Sequence, residues 1–133
     1  MTRASRFALA SSFVLTVLPL TAYADASGAV SVVSAQFTDK VTASKPVGDA
    51  SSLNGAATAT YWLDMSNTAK ETATITLVWT VDGKEAAKQT LDIGHSPHWR
   101  TWASCPIKNA HAVEVKVTDA DGNALKTDTL TLS

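Results

Sequence analysis

Between Thr72 and Asp82 the chain alternates without a break. Ala73, Ile75, Leu77, Trp79 and Val81 fall on one face, and Thr72, Thr74, Thr76, Val78, Thr80 and Asp82 on the other. Period-two alternation this long, rich in β-branched residues, marks a strand buried on one side. A helical period of about 3.6 would scatter the same apolar residues around the axis. The pattern breaks at Asp82-Gly83, a pair that supplies the positive φ values of a tight hairpin turn. The stretch from Glu85 to Ile93 is then the antiparallel partner, with Ala87, Leu91 and Ile93 inward and Lys88, Thr90 and Asp92 outward. Gln89 falls on the inward face, which marks an edge strand or an unsettled register.

The same grammar recurs toward the end of the chain. Val113, Val115 and Val117 alternate with Glu114, Lys116 and Thr118, a turn is expected at Asp121-Gly122, and Ala124 to Leu132 forms the return strand. Val30 to Thr38, Thr58 to Asp64 and Trp99 to Ser104 complete a set of seven. Seven short strands without a helical period predict a single immunoglobulin-like or fibronectin-like β-sandwich of antiparallel strands, with a small barrel as the alternative. Lys40 to Ala57, rich in Ser, Ala, Gly and Pro and without apolar period, is expected to be a long loop.

The first 24 residues stand apart. Arg3 and Arg6 form a basic start, Phe7 to Leu20 an apolar run, and Ala22-Tyr23-Ala24 a small-x-small cleavage site. This is the grammar of a secretory signal peptide cleaved after Ala24. The apolar run is shorter than the ~20 residues that span a bilayer and is broken by Pro19. The expectation is a signal peptide over 1–24 and one domain over 25–133, exported to the periplasm or secreted, with no transmembrane segment after cleavage. Of the eleven Lys and Arg, loss of Arg3 and Arg6 leaves nine against twelve acidic residues, a net charge of −3. No basic block remains, which argues against a nucleic-acid partner.

The most chemical-looking stretch is HSPHWRTWASCP, His95 to Pro106. In a strand, Trp99 and Trp102 project to opposite faces. Trp99 is expected inside, with Trp102 beside Arg100 on the other face, where a cation–π contact can form. The same alternation in Thr58 to Asp64 sets Trp62 opposite Ala59, Tyr61 and Leu63. Trp62, Arg100 and Trp102 are therefore the candidate binding surface, and an exposed tryptophan pair is what a sugar-binding face would present; the alternative is that the long loop or the N-terminal segment covers it. His95 and His98 lie in a turn entering a strand, so no helix aligns them. With His111 they are the weak candidates for a metal site, which would need three or four ligands, and no cofactor is expected. Cys105 is the only cysteine. In an oxidising compartment it is a buried thiol or, failing that, the bridge of a disulfide-linked dimer. No nucleophile motif or phosphate loop is present, so no enzyme is expected.

AQFTDKVTASKPVGD, YWLDMSN, TLVWTVDGKEAAKQTLDIG, HWRTWAS and VEVKVTDADGNAL, taken together, resemble the bacterial domain-of-unknown-function family 2914 over about Ala35 to Leu132. Trp79, Asp82, Gly83, Trp99, Arg100, Trp102, Val115, Asp119, Gly122 and Leu125 match its pattern; Cys105-Pro106 and the histidines of HSPH fall outside it. The resemblance implies a bacterial envelope protein without an assigned activity. The expected function is a non-catalytic binding or protein-interaction module with an envelope protein or glycan as partner. A carbohydrate-binding module is the alternative, and a metal-binding protein or enzyme stands behind both.

Overall fold

The computed structural model describes residues 29–133, so the expected signal peptide lies outside the described residues. Nine antiparallel strands follow in chain order among them: β1 (Val30–Thr38), β2 (Lys40–Thr42), β3 (Lys45–Val47), β4 (Thr58–Asn67), β5 (Ala73–Val81), β6 (Lys84–Ile93), β7 (Ser96–Pro106), β8 (Ala112–Asp119) and β9 (Ala124–Thr131). A four-stranded sheet, ordered β9-β8-β5-β6, faces a three-stranded sheet, ordered β1-β4-β7; β2 and β3 form a separate hairpin. Immunoglobulin constant domains place the fourth strand with the first, second and fifth. Here β6 stays beside β5 after its turn, which gives the fibronectin-like partition.

The two inner faces meet in one core. Phe37, Tyr61, Leu63 and Met65 come from the smaller sheet, and Ile75, Leu77, Trp79, Val113, Val115 and Val117 from the larger. Trp79 is its largest member. Phe37 and Tyr61 meet it edge to face, with ring centroids 6.2 and 6.5 Å away, a favoured aromatic geometry. Each polar handle on these rings has a partner. The Tyr61 hydroxyl donates to Asp128 Oδ2 on the facing sheet at 2.6 Å, and burial followed by this bond pushes the phenol far above its ordinary range.

Gln89 resolves the misfit seen in the alternation. It lies on the inward face of β6, an edge strand, opposite Leu77. Its Oε1 accepts from Trp79 Nε1 at 2.7 Å, and its Nε2 donates to the Ser104 carbonyl of β7 at 2.8 Å. One amide thus satisfies the buried indole and ties the two sheets at their open side. The register is the expected one; the polar residue has a structural task.

The turns divide by chemistry. Asp82 and Gly83 take φ of 50° and 85° between the paired Val81 and Lys84, the tight hairpin the sequence predicts. Asp82 does more than turn: its Oδ1 accepts from the His111 and Ala112 N–H groups at 2.9 and 2.8 Å, anchoring the start of β8. The β8–β9 connection is longer than a two-residue turn at Asp121-Gly122. It spans residues 120–123, and Asp119 Oδ1 accepts from the Asp121 and Asn123 N–H groups, both at 2.9 Å.

Lys40 to Ala57 is not an irregular loop. It holds the β2–β3 hairpin and a 3-10 turn over Ala50–Leu53, capped by Asp49 and carrying the fully buried Leu53 into the core. The hairpin turns through Ala43 and Ser44 at φ of 53° and 62°. Neither is the Gly, Asn or Asp that such turns favour, so the usual turn signal is missing from the sequence.

Candidate functional site

The outer face of the three-stranded sheet is set by register. Gln36 of β1, Trp62 of β4 and Trp102 of β7 form one row, and Ser34, Asp64 and Arg100 the next. Opposed residues of an antiparallel pair share a face. The structure therefore brings Trp62, Trp102, Arg100, Asp64 and the neighbouring His98 together on one surface.

Their exposures differ sharply. Trp62 is only 7% exposed, and its Nε1 donates to the Ser44 carbonyl at the tip of the β2–β3 hairpin at 3.0 Å. The hairpin lies over this ring, which corrects its assignment as an exposed contact residue. Trp102 stays 42% exposed, as expected for the second face. Trp99 shares the inner side with Met65 and Thr101 but is 38% exposed, which corrects its placement in the core. β7 is an edge strand, and at its Trp99 end the ring lies over Gly94, where a β-carbon would meet the ring at 2.6 Å. Glycine is needed there because the indole occupies the space.

His98 and Asp64 form a pair that sequence reasoning missed. His98 Nδ1 lies 3.0 and 3.3 Å from the Asp64 carboxylate oxygens; the carboxylate side chain is 10% exposed and the imidazole 56%. A carboxylate so nearly buried needs a donor, and His98 supplies one while its ring stays open to solvent. The two residues are 34 positions apart. No local signal joins them; only the pairing of β4 with β7 does.

The other candidates scatter. His95 Nδ1 bonds the Ala69 carbonyl at 2.9 Å, and His111 lines a cavity of about 500 Å³ at one end of the sandwich with Lys108, Ile107 and Leu132. Among the described residues, no group of three or more His, Cys, Asp or Glu is placed to hold a metal ion. Cys105 is 1% exposed and opposes Ala59 in the core; burial pushes its thiol up. A sulfur in that position is out of reach of a second chain while the domain is folded, which removes the basis for a bridge through Cys105. No helix among the described residues is long and apolar enough to cross a membrane.

The paired platform that a sugar-binding face would need is absent, since the indole of Trp62 is covered. What remains is an edge strand displaying Trp102 and Arg100 on one face and Trp99 on the other.

The chain is similar to Pseudomonas fluorescens alkylpurine DNA glycosylase AlkC bound to DNA containing an abasic site analog, with 12% identity and a TM-score of 0.50 over 79% of this chain and 30% of that one. A second likeness is to β-D-glucoside glucohydrolase from Trichoderma reesei, with 18% identity and a TM-score of 0.40 over 78% of this chain and 18% of that one. The first shows the fold alone; the second carries no argument. The chain spans less than a third of either protein's length. No curated protein matches it. Residues 72–129 match the family described as "Protein of unknown function (DUF2914)". Every position that carries the resemblance in Trp79–Leu125 falls within that match, while AQFTDKVTASKPVGD and YWLDMSN lie before it. Over residues 72–129, from the start of β5 into β9, the chain is thus similar to the DUF2914 family of unknown function.

Proposed function

We propose that the protein is a non-catalytic interaction module of the bacterial envelope that docks a protein partner along β7. The observation that carries this reading is the exposure of Trp99 and Trp102, 38% and 42%, on one edge strand. Single exposed apolar residues are ordinary on protein surfaces. Two tryptophans flanking an arginine on a strand locked to its neighbour are a different case. Tryptophan and arginine are enriched at protein interfaces and dominate their energetics, and a strand holds them in place at little entropic cost on binding.

Export, periplasmic or secreted, follows from the reading of residues 1–24 and belongs to the same proposal. The test is retention from envelope extract. Immobilised wild-type protein should hold a protein that Trp102→Ala releases, with the variant's far-UV circular dichroism unchanged. An identical retained set for both would refute the assignment to β7.

A further inference from the structure

Native sheets defend their free edges with bulges, inward charges or lysines. Three of the four edges here follow that rule. β1 carries a bulge between Val32 and Ser34. β6 is irregular between Trp79 and Thr80 of its partner and exposes Lys84, Glu85, Lys88 and Asp92. β9 has a bulge after Ala124 and turns Asp128 inward. β7 is defended only at its ends, by an irregularity between Ser96 and Trp99 with Pro97 and by Pro106; between them, from Trp99 to Cys105, its register with β4 is unbroken and it carries no lysine.

Two hydrogen bonds fix which main-chain groups of β7 point outward. The Ile107 N–H bonds the Ala57 carbonyl, continuing the ladder to β4 through alternate residues Cys105, Ala103, Thr101 and Trp99. Ser104, in the other set, turns its carbonyl to Gln89 of β6 instead. Main-chain groups two residues apart point the same way, so those of His98, Arg100, Trp102 and Ser104 face away from β4. Side chains close this row at both ends. Ser96 Oγ accepts from the His98 N–H at 3.1 Å, and Gln89 takes the Ser104 carbonyl. Between them the N–H and C=O groups of Arg100 and Trp102 have no partner among the described residues. This window is centred on Thr101.

A strand that reads Arg-Thr-Trp about its centre complements itself when run antiparallel. With Thr101 opposite Thr101, each Arg100 lies opposite the Trp102 of the other copy, and the two exchange both main-chain bonds as a hydrogen-bonded pair. On the outer face each guanidinium then meets an indole at cation–π distance. On the inner face Trp99 meets Ala103, a large side chain against a small one. The threonines form the favourable like pair at the centre.

We infer that the partner docking on β7 is a second copy of this chain, the two β7 strands joining antiparallel about Thr101 into one continuous six-stranded sheet. This rests on the reading of β7 as the contact strand and names its partner.

Pure protein produced from the full chain separates the two ideas. Sedimentation equilibrium should show a reversible dimer. Arg100→Pro removes an N–H that the fold does not use, and Trp102→Ser removes the ring. Each should weaken the dimer by roughly tenfold or more while leaving the far-UV spectrum intact. Register is read by disulfide trapping. Thr101→Cys should cross-link under mild oxidation, because Cα atoms about 4.5 Å apart at a non-hydrogen-bonded pair suit a disulfide. Ala103→Cys, whose opposite residue is Trp99, should not. A monomer at all concentrations without Thr101→Cys cross-linking, or cross-linking of both variants alike, overturns the inference. A monomer that still retains an envelope protein through Trp102 leaves the interaction-module reading standing; loss of both ends both.

Discussion

The amide of Gln89 offers the sharpest test of how the sandwich is held. Gln89→Leu conserves volume but removes the acceptor of Trp79 Nε1 and the donor to the Ser104 carbonyl. Trp79 is fully buried, so its N–H would be left without a partner inside the core. An unsatisfied buried donor costs about 1–3 kcal/mol. The bond to Ser104 is exposed and adds about 0.5 kcal/mol, the low end of the net range. Leucine at a half-buried site returns part of the ~1.5–3 kcal/mol of a fully buried side chain. The net expectation is a loss of about 1–2 kcal/mol, or a fall in Tm of about 4–10 °C for a domain of this size. Urea unfolding followed by far-UV circular dichroism measures it. In a Trp79→Phe background the donor is gone, and Gln89→Leu should cost about 1 kcal/mol less. A neutral or stabilising Gln89→Leu, or equal costs in the two backgrounds, would refute the assignment of this bond to core satisfaction.

Two further outcomes follow from the turn and the buried thiol. Main-chain donors, Ala112 first and then His111, hold the Asp82 carboxyl below its ordinary range. A depressed folded pKa adds stability above the unfolded value and loses it as pH falls through the folded one. Asp82→Asn, which tolerates the left-handed turn, should therefore lower Tm at neutral pH, with the gap closing below about pH 4; a gap independent of pH would count against the charge. Cys105 should resist thiol reagents in the native state and react only as the domain unfolds, and Cys105→Ser should cost about 1–3 kcal/mol by burying a hydroxyl. Rapid labelling of native protein would show the sulfur to be accessible.

The seven long strands were legible because each is amphipathic or apolar at period two, and burial on one side writes that period directly into the residue order. Asp82-Gly83 was legible for a related reason: the left-handed backbone of a tight turn selects residue types. The β2–β3 hairpin was not, since Ala43 and Ser44 take that conformation without the residues that announce it. What the hairpin does to Trp62 was hidden for the same cause.

Alternation assigned Trp99 and Trp102 to opposite faces, and the faces are right. The sequence by itself thus determined the all-β architecture, the strand faces and the family likeness over the later strands. Exposure was decided only by the tertiary structure, because it depends on which strand ends a sheet and what folds across it. β7 lies at an edge, so an inward tryptophan emerges at its end, while an outward one on the central strand β4 disappears beneath a hairpin. His98 with Asp64, and Gln89 with Trp79 and Ser104, are likewise products of strand pairing and of sheet-on-sheet packing. Side-chain period is a local property of the chain; the partner a side chain meets is not.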